Sequence, residues 1–177
     1  MWGKNRIRSF LKGDAANATV EFVIVFPIVI FLFVAAFETA MLLTRQVMLE
    51  RSLDNAVRYL RLTSGITVTH DQIAENICSN TSLIPNCTEM LRLDLQVINQ
   101  DTYALPSYDA LCADQANDEV HPANTFNPGA DNELMLIRAC ALVDRILPIS
   151  GLGLNLTRDD AGDIHLMAAT VFVNEPT

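Results

Sequence analysis

From Phe22 to Phe37 the chain reads FVIVFPIVIFLFVAAF, sixteen apolar residues in a row, and after Glu38 it resumes as TAMLL. At about 1.5 Å per helical residue, Phe22–Leu43 spans roughly 30 Å, the thickness of a bilayer's hydrocarbon core. The run is rich in Val and Ile, which suit a strand in water. In lipid, however, the backbone must satisfy its own hydrogen bonds, and a single segment does so only as a helix. The pattern then changes period. Leu49, Leu53, Ala56, Val57 and Leu60 recur at spacings of three and four, one stripe of an amphipathic helix, with Asp54 and Arg58 as an i,i+4 pair on its wet side. Joined end to end, the two patterns predict one helix from about Asn17 to Leu62, on the order of 65–70 Å long, stopped near Ser64-Gly65. Its first half is apolar all round. Its second half is one-sided and needs something to pack against.

Three segments supply that partner. Leu91–Ile98 (LRLDLQVI) alternates apolar with polar residues and reads as a half-buried strand, and LMLIRACAL from Leu134 and IHLMAATVFV from Ile164 are strands of similar length. A short helix is expected over Asp71–Cys78, with Asp71 or His70 near its cap. Between the first two strands lies a long polar stretch, Asn99–Asn132, with Pro106, Pro122 and Pro128-Gly129. A connection of that length usually carries function or is tied down. Pro148–Asp163 forms a second connection. The expected fold class is α+β, a long helix carrying a small antiparallel sheet on the stripe of its second half.

Charge adds direction. Residues 1–13 hold Lys4, Arg6, Arg8 and Lys12 and no acid, residues 22–43 hold only Glu38, and residues 44–177 hold eight Arg against eighteen Asp and Glu. Cations just before an apolar span keep that end in the cytoplasm, so the acidic remainder is expected outside it. The run is too long for a secretory signal peptide, and the segment beyond it reads as a charged helix and not as a cleavage site. With a net charge of −9 over 177 residues, the chain is a poor nucleic-acid binder. Cys78, Cys87, Cys112 and Cys140 all fall in the exported part, an even count that reads as two disulfides. Three pairings are open. The sequence-local one, Cys78–Cys87 with Cys112–Cys140, is preferred, and Cys112 would then tie down the long polar stretch. The spacings do not suit zinc, which favours C-x₂₋₄-C pairs.

Chemistry-bearing motifs are sparse. His70, His121 and His165 are isolated, and no nucleophile elbow, zincin motif, P-loop or dinucleotide fingerprint stands in a suitable context. Asp159, Asp160 and Asp163 lack the spacing of a calcium loop and read as an acidic turn. Neither a catalytic centre nor a cofactor is implied.

The segment leading into the apolar run is Ala16-Asn17-Ala18-Thr19-Val20-Glu21-Phe22, with Pro27 six residues beyond the acid. A small residue, four residues, an acid and then an apolar helix with that proline, all behind a basic leader, resembles the N-terminal signature of TadE-like pseudopilins of the Tad (Flp-type) branch of type IV pilus systems. The likeness is specific over about residues 4–30. The later Pro-Gly, the strand with Cys, Pro-x-x-Gly-x-Gly and the final Asn174-Glu175-Pro176 add a looser one. The resemblance implies a minor pilin cut by a prepilin peptidase between Ala16 and Asn17, leaving Glu21 as the fifth residue of the mature chain. It further implies partners: a second pseudopilin of the TadF type, the Flp-type major pilin, the inner-membrane assembly platform and the peptidase itself. The family usually has Gly before the cut. Here Ala16 stands there, and Gly13 would leave Glu21 at the eighth position.

The expected organisation is a basic leader over 1–16, a membrane helix over 17–43 and an extracytoplasmic domain over 44–177. Glu21 sits at the cytoplasmic edge of the span. As an assembly contact it would pair with the new α-ammonium of a neighbouring subunit, because an unpaired charge drawn into a helical bundle is costly. As an interfacial acid it would only favour the helix dipole. Pro27 removes one backbone hydrogen bond and is expected to bend the helix. Glu38 lies roughly 9 Å from mid-span, within reach of headgroups or of a partner protein. The competing reading is a single-pass membrane protein with an extracytoplasmic ligand-binding or sensory domain, which would keep its leader. An extracytoplasmic enzyme comes third.

Overall fold

The computed structural model describes residues 14–62, 68–105, 112, 126–144 and 162–176. The chain begins with α1 (Asp14–Leu62), continues through α2 (His70–Ser79) and a single turn, α3 (Cys87–Met90), and then forms the strands β1 (Leu91–Val97), β2 (Leu134–Val143) and β3 (Ile164–Val173). Ser64-Gly65, the expected stop of the long helix, lies outside the described residues.

α1 is one unbroken helix, 49 residues long, and it runs through Pro27 without interruption. Hydroxyls that would otherwise stand unsatisfied on it bond back to the preceding turn. Thr39 Oγ1 donates to the Ala35 carbonyl at 2.9 Å, Thr44 Oγ1 to Ala40 at 2.7 Å and Ser52 Oγ to Met48 at 2.8 Å. Arg61 in the last turn complements the helix dipole and lies 5.9 Å over the Phe172 ring, a cation–π contact. Asp54 and Arg58 are both exposed, as their place on the wet side requires, but no ion pair joins them.

α2 starts one residue earlier than the sequence suggests, and its cap is Thr69, not Asp71 or His70. Thr69 Oγ1 accepts from the Gln72 amide at 3.4 Å while Gln72 Oε1 accepts from the Thr69 amide at 3.1 Å, a capping box written in the sequence as T-x-x-Q. α3 is absent from the sequence-based expectation because four residues carry no readable period. The disulfide Cys78–Cys87 staples the last turn of α2 to the first residue of α3, at a Cα–Cα distance of 5.6 Å.

The sheet is antiparallel in the order β1-β2-β3. Its inner face carries Leu91, Leu93 and Leu95 from β1, alternate residues Met135–Val143 from β2 and Ile164, Leu166, Ala168 and Phe172 from β3. Against it pack the α1 stripe, Leu49, Leu53, Ala56, Val57 and Leu60, and the α2 face, Ile73, Ala74 and Ile77. Each fully buried aliphatic side chain is worth about 1.5–3 kcal/mol of transfer free energy. α1 is therefore held to the sheet by a stripe of five residues. A polar clasp adds to the stripe, as Gln46 Nε2 donates to the Met167 carbonyl at 2.8 Å.

The outer face departs from the half-wet strand that β1 suggests. Asp94 is 3% exposed and Arg138, directly opposite on β2, is 6% exposed. Arg138 donates from Nε (3.0 Å) and Nη2 (2.7 Å) to Asp94 Oδ2, while Gln96 Nε2 donates to Oδ1 at 2.8 Å. β2 is buried on both faces because it is the central strand and its outer side is covered. Cys140, two residues from Arg138 and on the same face, bonds Cys112 and so fixes the long connection to the outside of the sheet.

At the far end of the sheet the chain is latched. Asn174, just past β3, is buried and donates from Nδ2 to the carbonyls of Pro128 (2.8 Å) and Ala130 (3.1 Å). Gly129 between them has φ +69°, a left-handed conformation that favours glycine, and a Cβ there would also push on the Met135 thioether 2.5 Å away.

The outer face can be tested by its effect on stability. Asp94→Ala leaves a buried guanidinium without its carboxylate and is expected to cost about 3–5 kcal/mol, read by urea unfolding of the detergent-solubilised chain. Adding Arg138→Met should recover part of that loss, since the orphaned charge goes with it. Replacing Cys112 and Cys140 by Ser opens a loop with a sequence separation of 28. The chain-entropy relation values that closure at about 3–4 kcal/mol. Peptide mapping without reductant should recover Cys78–Cys87 and Cys112–Cys140; crossed peptides would contradict this connectivity.

Candidate functional site

The most unusual surface of the molecule is the first half of α1. Every large apolar side chain from Val20 to Phe33 is between 41% and 70% exposed. Residues of this kind are normally the first to be buried, and a helix apolar on every side does not stand in water. Phe22 and Phe26 stack on one another along the helix, centroids 5.0 Å apart. Ala18–Leu62 contains a window long and apolar enough to cross a membrane, with 6% of it buried inside the fold.

Glu21 stands in this bare stretch, exposed, one turn and a half before Pro27. Among the described residues it makes no ion pair. Its neighbours one turn away, Ala18 and Val25, offer none. Ala16 and Asn17 fall within the first turn of α1, and Gly13 lies outside the described residues. One continuous helix thus carries Ala16, Asn17, Glu21 and Pro27. The four cysteines belong to the folded domain and not to this surface.

Past Val34 the cover begins on one side of the helix. Ala35 and Glu38 are each 7% exposed, the first buried residues of α1 among those described, while Phe37 between them is 55% exposed. Sequence alone leaves Glu38 between headgroups and a partner protein. In the structure it is enclosed within the fold of its own chain, where it takes part in an interaction.

The remaining candidates do not come together. His70 Nδ1 lies 3.0 Å from Asp71 Oδ1, and its ring stands edge-on to Phe126 at 6.0 Å. His165 belongs to the outer face of β3, while His121, Asp159 and Asp160 lie outside the described residues. No group of three or more His, Cys, Asp or Glu is placed to hold a metal ion among the described residues. Two shallow hollows at the far end of the sheet, one between Val97–Gln100 and Asn132–Leu134, the other beside Arg61 and Val171–Pro176, are lined by turns and amides without a nucleophile–base pair. Sequence reasoning missed the Asp94–Arg138 pair and the role of Asn174. The first has no local signal, and the second shows only as the Asn174-Glu175-Pro176 ending.

Residues 17–58 match the family model described as TadE-like protein. The matched stretch runs from the bare apolar half of α1 through four of the five residues of its buried stripe, ending two residues before Leu60. No curated protein and no solved structure matches the chain. The chain is therefore TadE-like over residues 17–58, the stretch that ties it to the Tad pilus system.

Proposed function

We propose that this chain is a minor pilin or pseudopilin that takes part in building a Tad/Flp-type adhesive pilus. It is anchored in the bacterial inner membrane by residues 17–43, with its N-terminus cytoplasmic and the domain 44–177 periplasmic. A prepilin peptidase removes the leader 1–16. The observation that carries the reading is the division of α1 into a bare apolar half and a half built into a folded domain, inside a TadE-like match. A helix of this kind lies first in lipid and then, with the same surface, among the helices of other subunits. Its domain keeps the fold whichever surroundings the bare half has.

In this reading Glu21 is the assembly contact. Cleavage creates an α-ammonium at Asn17, and a neighbouring subunit's Glu21 receives it, which sets the axial register. The partners are the TadF-type pseudopilin, the Flp-type major pilin and the inner-membrane assembly platform, as the family resemblance implies.

Two experiments test this. In cells with the peptidase, mass spectrometry of the membrane-extracted protein should give a mature chain starting at Asn17, and Ala16→Gly should not slow the cut. An intact leader starting at Met1 would instead favour an anchored sensory or ligand-binding domain. For Glu21, mere capping of the helix dipole is worth about 0.3–1 kcal/mol, whereas an orphaned buried ammonium costs several kcal/mol. Glu21→Ala is expected to insert and to form its disulfides, but not to co-purify with the pseudopilin partner or to support piliation. Glu21→Asp should be intermediate. Wild-type piliation in Glu21→Ala would remove Glu21 from assembly.

A further inference from the structure

Charge divides the exported chain in two. Residues 44–62 hold Arg45, Arg51, Arg58 and Arg61 against Glu50 and Asp54, a net of +2, while residues 63–177 hold four Arg against sixteen Asp and Glu, a net of −12. At about 100° per residue, Arg51 and Arg58 fall on one line of α1. That line lies opposite the buried Leu49, Leu53 and Leu60, continues the exposed Ala40 and Val47, and points away from the sheet. On α2, the exposed Asp71 and Glu75 stand one turn apart, opposite the buried Ile73, Ala74 and Ile77. Among the described residues Arg51, Arg58 and Glu75 make no ion pair, and Asp71 meets only the His70 ring at 3.0 Å.

The two helices lie side by side on the inner face of the sheet, at one level. Gln46 touches Met167 and Arg61 touches Phe172, so α1 runs along β3 in the same direction. α2 lies over β1. Its His70 stands against Phe126, which bridges Leu95 of β1, and its last turn is stapled to Cys87, shortly before β1 begins. In register, Leu91 is level with Leu166 and Leu95 with Thr170. The acids of α2 thus stand at the height of α1 between Gln46 and Arg61, which is the height of Arg51 and Arg58.

Two copies can bring these faces together about a two-fold axis in two ways. With the axis along α1, both copies stand upright, α1 of one faces α2 of the other, and the same contact is made twice. With the axis across the strands, one copy is inverted and α1 faces α1, cation on cation. Like charges set against each other are costly, so the charges select the upright pair. It is also the pair that sends both apolar halves into one bilayer.

Building on the membrane-spanning reading above, we propose that the helix side of the exported domain is a docking surface for a second copy of this chain. Arg51 and Arg58 of each copy face Asp71 and Glu75 of the other, in an upright two-fold pair with the sheets on the outside. A single exposed ion pair contributes little. Here two cations meet two acids at each of two equivalent contacts, and anchoring in one membrane raises the effective concentration of each copy for the other.

Charge reversal tests this on the full chain, coexpressed as two differently tagged copies and extracted in mild detergent. Intact disulfides on a non-reducing gel certify each fold. Wild-type copies should recover one another, less so as salt rises from about 0.05 to 0.5 M and the Debye length shortens. Arg51→Glu with Arg58→Glu should lower recovery at least about tenfold, and so should Asp71→Arg with Glu75→Arg. One copy of each variant, mixed, should recover one another again, because both contacts are then complementary. Arg58→Glu against Glu75→Arg is the milder pair should Asp71→Arg disturb the first turn of α2. Recovery untouched by either reversal would overturn the pair, as would losses that mixing does not restore, or wild-type copies that never recover one another. Native mass spectrometry showing more than two copies would overturn its closed two-fold form. A membrane-bound chain that does not pair defeats the pair alone; a chain absent from the membrane fraction would defeat the membrane-spanning reading and the upright pair with it.

Discussion

A single apolar stripe, Leu49, Leu53, Ala56, Val57 and Leu60, fixes the geometry of this protein. It binds the second half of α1 to the inner face of a three-stranded sheet. Because the helix is continuous, that contact also determines how the first half projects from the domain. The bare stretch from Val20 to Phe33 is not a loose tail: it extends a helix whose other end is locked in a core. A lone helix gains little from its own hydrogen bonds and relies on packing. Here the packing is divided between the protein's own sheet and surroundings that the protein does not supply.

The sheet is small, and three strands stand only with a hydrophobic face or a helix packed against them. The inner face is closed by α1 and α2. On the outer face the central strand carries Arg138 and Cys140, which hold Asp94 and Cys112 respectively. A buried ion pair is no great source of stability in itself, but losing either partner is costly, so the pair penalises any other register of β1 on β2. The bridge to Cys112 fixes the long connection to that same face. At the far end Asn174 and Gly129 close the turn before β2 against the end of β3. The ion pair and the Cys112–Cys140 bridge act on the outer face and the Asn174 latch at the far end of the sheet, and together they leave the exposed half of α1 as the surface that needs an outside partner.

Much of this was legible along the chain. The change of period near Leu49 located the helix and its buried face, and the three runs of apolar and β-branched residues located the strands to within a residue or so. The T-x-x-Q of the α2 cap was also there to be read, at Thr69 and Gln72. The alternation in β1 was misleading in one respect. Arg92, Asp94 and Gln96 occupy the positions a wet face would have, yet Asp94 is buried, because what covers a sheet's outer face is remote in sequence.

The sequence by itself determined the helix, its division into an all-round apolar half and a one-sided half, the strand segments and the TadE-like signature around Glu21. All of these depend on spacing between near neighbours, which the geometry of helices and strands turns directly into faces. The tertiary structure alone decided which cysteines meet among three possible pairings, that Asp94 and Arg138 face one another across β1 and β2, and that Glu38 is enclosed. Those depend on which distant segments share a surface. Residues 44 positions apart become neighbours only once the strands have paired, and Glu38 lost its solvent only because the domain folded back over its own helix.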